Sequence, residues 1–174
     1  MRGLYNVENK KDVMALYQVR KAVWEDFERI LEIYEIARNF MAETGNPTQW
    51  GTGYPPVDML KSDIPAGNLY VVEEDILRGV FAYFTVPDPT YAFIEDGSWL
   101  DDGPYGTIHR VAGDGSGGIF SAVLAFALER NPHIRIDTHA DNKVMQHVLE
   151  KHGFSRRGII YLEDGDPRIA YERV

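Results

Sequence analysis

The sequence predicts an α/β protein, a mixed central sheet of six to seven strands flanked by about four helices. Two observations carry the prediction. Hydrophobic periodicity switches between strand and helix in the order β-α-α-β-β-β-α-β-α-β-β, with an antiparallel first half. Between Tyr105 and Arg130 a strand, a glycine turn and a helix follow one another directly. At 174 residues the chain suits one domain, expected over 14–174, with residues 1–13 an aperiodic N-terminal extension.

The elements follow in order. Ala15–Lys21 alternates as a short strand. Val23–Met41 repeats apolar residues at three- and four-residue steps, and Ile33, Ile36 and Phe40 widen the stripe, so the helix should be buried on more than one side. Gly45-Asn46-Pro47 stops it, and the loop Thr48–Pro56 leads to a short helix over Val57–Ile64. Asn68–Glu74 and Ile76–Val86 are strands around an acidic turn, followed by a Pro-, Gly- and Asp-rich connection over 87–104. Tyr105–Ala112 is a strand, Gly113–Gly118 a turn, Ile119–Arg130 a helix, Ile134–Thr138 a strand and Asn142–His152 a helix stopped by Gly153. Phe154–Leu162 and Arg168–Val174 close the chain as a hairpin.

Composition narrows the function. The formal net charge is −9, which argues against nucleic acid or an anionic membrane as partner, since both require a basic surface. The excess is local: residues 58–102 carry 10 acidic and 2 basic side chains, whereas 103–174 carry 9 of each. With no cysteine there is no disulfide, thiolate metal site or cysteine nucleophile. His133, His147 and His152 do not fall at metal-ligand spacing, so no metal is expected, and they read as surface or helix-end residues. No run approaches a membrane span, and the polar N-terminus has no signal-peptide core, so a cytoplasmic location is expected.

The turn Gly113-Asp114-Gly115-Ser116-Gly117-Gly118 would bring backbone N–H groups and a helix N-terminus to an anion such as a pyrophosphate. Gly113, Gly115 and Gly118 spell GxGxxG, and Asp137 follows 19 residues after Gly118, as in a dinucleotide-binding oxidoreductase. The context opposes that reading. The unit starts past residue 100, only a hairpin follows Asp137, and Thr107–Val111 is too polar for the first strand of a buried parallel sheet.

The second half instead resembles the GNAT (GCN5-related N-acetyltransferase) superfamily, through Gly115-Ser116-Gly117-Gly118-Ile119 and through Asn142 followed by Glu150-Lys151-His152-Gly153-Phe154. The resemblance implies an acetyl-CoA-dependent N-acetyltransferase in which Val111, Ala112, Gly113, Gly115, Ser116, Gly117, Gly118, Ile119 and Asn142 hold acetyl-CoA as co-substrate. It also implies direct transfer to a primary amine, of a small molecule or a peptide, and allows a homodimer, common on this fold. Two departures stand out: Gly115 occupies the place of the usual Arg or Gln, and Leu149 that of the Tyr that often protonates the departing thiolate. The second keeps open a non-catalytic acyl-CoA-binding or sensing protein on the same fold.

His109, on the strand entering the turn, is the first candidate base, because imidazole titrates near neutrality and the resemblance puts a Glu or His there. Alternation alone leaves open whether His109 or Arg110 faces the cleft. His139 is a second candidate, and Asp137 could orient either. For the acceptor, the aromatic and polar residues Gln49, Trp50, Tyr54, Tyr91 and Trp99 of the two long loops would suit an amine, with the acidic stretch 58–102 flanking them.

Overall fold

In the computed structural model, which describes residues 16–174, one seven-stranded sheet runs in the order β1-β2-β3-β4-β5-β7-β6. The strands are β1 (Gln18–Lys21), β2 (Leu69–Glu73), β3 (Leu77–Phe84), β4 (Gly106–Gly113), β5 (Ile134–Thr138), β6 (Ser155–Tyr161) and β7 (Pro167–Arg173). The helices are α1 (Phe27–Glu43), α2 (Val57–Ala66), α3 (Ile119–Leu128) and α4 (Lys143–Lys151). Only β4 and β5 are paired in parallel; every other neighbour is antiparallel. That topology excludes the doubly wound parallel sheet which a dinucleotide site at Gly113–Gly118 would need. The extension assigned to residues 1–13, and the domain start at Met14, lie outside the described residues.

Helix α1 buries Ile30, Ile33, Tyr34 and Ala37, spaced for one face, against β3 and β4 together with α2. Ile36 and Phe40 stay exposed, so the helix is buried on one side, not several. The apolar stripe was wider than the sheet could cover. On the opposite face α3 packs Ile119, Val123, Phe126 and Ala127 onto Val72, Phe81 and Ile108, with Leu149 of α4 beside them. Glycine matters at Gly79: a Cβ there would lie 2.7 Å from Ile119 Cγ2, so its bare backbone lets α3 sit close to the sheet.

The sheet opens at its centre. β4 and β5 are paired only at Gly106↔Ile134 and Thr107↔Arg135, after which β5 stays with β7 and β4 with β3. The cause is a bulge in β4. Val80 faces Ala112 and Ala82 faces His109, so Arg110 and Val111 together oppose Phe81. Arg110 takes φ +55°, uncommon for a side chain of this size. Its carbonyl accepts the Tyr34 hydroxyl at 2.9 Å and its guanidinium pairs with Asp63, which secures the strained residue from α1 and α2.

The connection 85–105 is bound to the C-terminal half of the sheet. The Arg135 guanidinium lies 4.2 Å from the Trp99 ring and 4.1 Å from that of Tyr105, and Trp99 Nε1 donates to the Tyr91 carbonyl at 2.9 Å. Glu95 and Ile159 exchange two backbone hydrogen bonds of 2.8 Å, adding a rung outside β6. Fully buried Glu172 accepts from His133 at 2.7 Å, from Arg135 at 3.3 Å and from the Leu100 N–H at 2.5 Å. His133 is therefore a buried partner of Glu172, not the surface residue its sequence context suggested; an unpaired carboxylate there would be costly. No helix among the described residues is long and apolar enough to cross a membrane.

Candidate active site

A cavity of about 590 Å³ occupies the opening between β4 and β5. Its walls are β4 from Thr107 to Val111, β5 from Ile136 to Thr138, the loop after α1, the start of the 85–105 connection and the β6–β7 hairpin. The bulge decides which residue of β4 enters it. The His109 side chain joins the cavity wall, while that of Arg110 leaves for Asp63 on the helix face.

His109 sits between two carboxylates. Its Nε2 lies 2.8 Å from Asp88 Oδ2, and its Nδ1 lies 3.9 Å from Asp137 Oδ1. Burial pushes the Asp88 carboxyl up, but hydrogen bonds from His109 and Thr90 outweigh it and hold its pKa down to about 2. An ionised Asp88 only accepts, so it is Nε2 that donates to it, and Nδ1 is the nitrogen left to exchange a proton. Asp88 is itself fixed: its Oδ1 accepts Thr90 N at 2.9 Å and Thr90 Oγ1 at 2.7 Å, and its N–H donates to Tyr105 Oη at 3.0 Å. Asp137 accepts the Tyr91 hydroxyl at 2.6 Å. Burial, reinforced by Asp137, raises the Tyr91 phenol well above its ordinary range, so it stays a donor.

The loop after α1 supplies Gln49, Trp50 and Tyr54 to the cavity. Trp50 packs edge-on to Tyr34 at 5.7 Å and lies 6.1 Å from the Tyr54 ring. Gln49 Oε1 accepts from Asn46 Nδ2 at 2.8 Å and from Asn142 Nδ2 at 3.0 Å, tying this loop to the start of α4. Asn142 caps α4, its Oδ1 accepting Met145 N at 3.0 Å.

The glycine turn closes the end of β4. Gly115 and Gly118 hold φ of +96° and +83°, and Gly118 is the N-cap of α3. A Cβ at Gly115 or Gly117 would meet nothing within 4 Å, so the turn is an open cradle. Asp114 folds back into it, accepting Ser116 N at 3.0 Å and pairing with Arg29 at 3.1 Å and Arg78 at 3.4 Å. Burial raises the Asp114 carboxyl, yet the Ser116 and Arg78 contacts bring it below its usual range. The two arginines share their charge with further carboxylates, Arg29 with Glu32 at 3.0 Å and Arg78 with Asp75 at 2.9 Å. On the cavity side, Thr138 Oγ1 is buried without a hydrogen-bond partner among the described residues.

Of the residues proposed from sequence, His109, Asp137, Val111, Asn142, Gln49, Trp50 and Tyr54 come together around the cavity. Others lie elsewhere. Tyr91 is buried behind Asp137, and Trp99 is committed to Arg135, so neither lines the cavity. His139 is outside the cavity, its Nδ1 accepting the Asp141 N–H at 3.0 Å. Ala112 faces α1, and Ile119 packs against Gly113 and Gly79. Leu149, where the resemblance expected Tyr, is wholly buried in the core. Asp88, Thr107, Asp164 and Asp166 line the cavity without having been singled out. Asp88 alone carried a local signal, the Pro87-Asp88-Pro89-Thr90 sequence that forms its turn.

No family model matches the sequence, and no curated protein matches it. Among solved structures, a GNAT-family acetyltransferase from Streptococcus agalactiae is 32% identical at TM-score 0.82, over 91% of this chain and 95% of that one. A GNAT-family acetyltransferase from Listeria monocytogenes is 20% identical at TM-score 0.66, over 90% and 94% of the two chains. A Salmonella typhimurium protein described as an acetyltransferase, solved with its cofactor acetyl-CoA, is 13% identical at TM-score 0.58, over 91% and 93%. The splayed parallel pair, the glycine turn and these similarities define an acetyltransferase fold. The chain belongs to the GNAT family of acetyltransferases.

Proposed function

We propose that this protein is an acetyl-CoA-dependent N-acetyltransferase that moves the acetyl group directly to a primary amine, with His109 as the base. The observation that carries the reading is His109 held between Asp88 and Asp137 in the cavity that the β4 bulge opens beside the glycine turn.

The residues present fit the co-substrate. The open cradle at Gly115 and Gly117 and the Gly118 N-cap suit a pyrophosphate. Thr138 Oγ1 and the Asn142 side chain would meet the polar groups of the pantetheine arm. When bound, acetyl-CoA supplies an acetyl group activated as a thioester. The chain then has two tasks. His109 Nδ1 takes a proton from the acceptor's ammonium and leaves a neutral, nucleophilic amine. Asp88 fixes the ring and, with Asp137, stabilises the imidazolium that results. Backbone N–H groups at the Arg110–Val111 bulge are the candidates for polarising the acetyl carbonyl; as the C–N bond forms the C–S bond breaks, and the second amine proton goes to the departing thiolate.

The test is release of coenzyme A from acetyl-CoA with a panel of primary amines. His109→Ala should abolish most of the release and remove its acid limb from the pH–rate profile. An unchanged profile excludes His109 as the base. A second reading, an acyl-CoA-binding protein without turnover, draws on Leu149: the position expected to bear an acid is instead a core side chain. Binding of acetyl-CoA without coenzyme A release by any amine would favour it.

A further inference from the structure

The acceptor side of the cavity carries an uneven charge. Four carboxylates line it, Asp88 and Asp137 at the base and Asp164 and Asp166 on the β6–β7 hairpin. Two arginines are among its lining residues, and both guanidiniums are already committed. Arg110 pairs with Asp63 on the helix face, and Arg168 donates to Asp166 at 3.0 Å and to the Pro167 carbonyl at 2.9 Å. No lysine contributes to the lining among the described residues. After the Arg168–Asp166 pair is discounted, Asp88, Asp137 and Asp164 remain against a single histidine.

Two further features bear on what this space receives. Thr107 Oγ1, fully buried in the cavity wall where β4 and β5 part, has no hydrogen-bond partner among the described residues. A buried hydroxyl of this kind can both donate and accept, and an amine N–H is a donor it can accept from. The rings of Trp50, Tyr54 and Phe84 are also in the lining, and aromatic rings attract cations. Both lining arginines already pair with a carboxylate and no lysine lines the space among the described residues, so a carboxylate or phosphonate on the acceptor would find no free cation and would face the aspartates.

We infer that the acceptor is a cationic amine with a second positive centre, an α,ω-diamine or a longer polyamine, and not an amino acid or other anionic amine. One nitrogen sits at His109 and gives up its proton, while the other remains an ammonium facing Asp164 on the hairpin. Asp164 is thus the specificity residue. This inference rests on the acetyltransferase reading above.

The experiment compares n-alkylamines, α,ω-diamines of the same chain lengths and the corresponding ω-amino acids. Calorimetry measures binding to the protein in the presence of coenzyme A, and coenzyme A release from acetyl-CoA measures turnover. At low ionic strength the preferred diamine should bind about tenfold more tightly than its monoamine, equivalent to about 1.4 kcal/mol, and the amino acid should bind more weakly than either. Added salt should shrink the diamine preference, because the hairpin carboxylates are exposed. Asp164→Asn keeps the oxygen that accepts the Asp166 N–H at 3.0 Å, so the hairpin is preserved, and should lower the diamine-to-monoamine ratio about threefold. Equal affinity for diamine and monoamine at every chain length, or tighter binding of the amino acid, overturns the inference while leaving the acetyltransferase reading intact. Diamine binding without turnover of any amine has the opposite meaning: the charge reading stands and the acetyltransferase reading falls.

Discussion

Replacing Asp88 with Asn removes one charge and keeps the shape and the acceptor for Thr90. In the folded protein the Asp88 carboxyl is held down to about 2 against an ordinary 3.8. Its side chain is only 18% exposed, so solvent screens little of the effect. A shift of that size corresponds to about 2 kcal/mol of folding free energy. The folded pKa lies below the unfolded one, so the stabilisation is complete at neutral pH, falls to roughly half near pH 3 and vanishes below pH 2. For a domain of this length Asp88→Asn should lower Tm by about 4–8 °C at pH 7. Chemical denaturation of both proteins at pH 7, 4 and 3 follows the difference. A gap that narrows as pH falls supports the ionised Asp88–His109 pair. A gap that is the same at pH 7 and pH 3 refutes it, since the loss would then come from packing and not charge.

Three further outcomes follow from the same structure. His109→Ala should lower kcat by about 10²–10⁴, the usual loss for a general base, with acetyl-CoA affinity by calorimetry changed less than twofold. Gly118→Ala forces a side chain into φ +83°, costing about 1–2 kcal/mol in strain, and should weaken acetyl-CoA binding severalfold while amine affinity is retained. Trp99→Ala strips one face of the Arg135 stack and the hydrogen bond to the Tyr91 carbonyl, and should cost about 2–3 kcal/mol in chemical denaturation.

Much of the fold was legible in the residues because its signals are local. The periodicity of Val23–Met41, the stop at Gly153 and the turn at 163–166 each act within a few positions, and the observed elements end within about three residues of the expected ones. The glycine turn was legible for the same reason. The site was less so, because long-range pairing decides it. Nothing local marks Arg110 for φ +55°; the bulge is held by Tyr34 and Asp63 from two helices, so sequence alternation could not choose between His109 and Arg110. The acidic stretch 58–102 misled in a related way. Asp63, Glu73 and Asp75 are taken up by Arg110, Arg20 and Arg78, and of the carboxylates in that stretch only Asp88 lines the cavity. The remaining carboxylates of the acceptor wall come from the electrically balanced C-terminal part. Tyr91 and Trp99 looked like wall residues because an aromatic that anchors a loop and one that faces a ligand have the same sequence signature.

The most direct test of the account is coenzyme A release from acetyl-CoA by the intact protein with primary amines, run beside His109→Ala. The account predicts release that saturates in both acetyl-CoA and amine, and a variant that still binds acetyl-CoA but turns over at least a hundredfold more slowly. Acetyl-CoA binding with no release by any amine, or equal turnover by the His109→Ala protein, would contradict it.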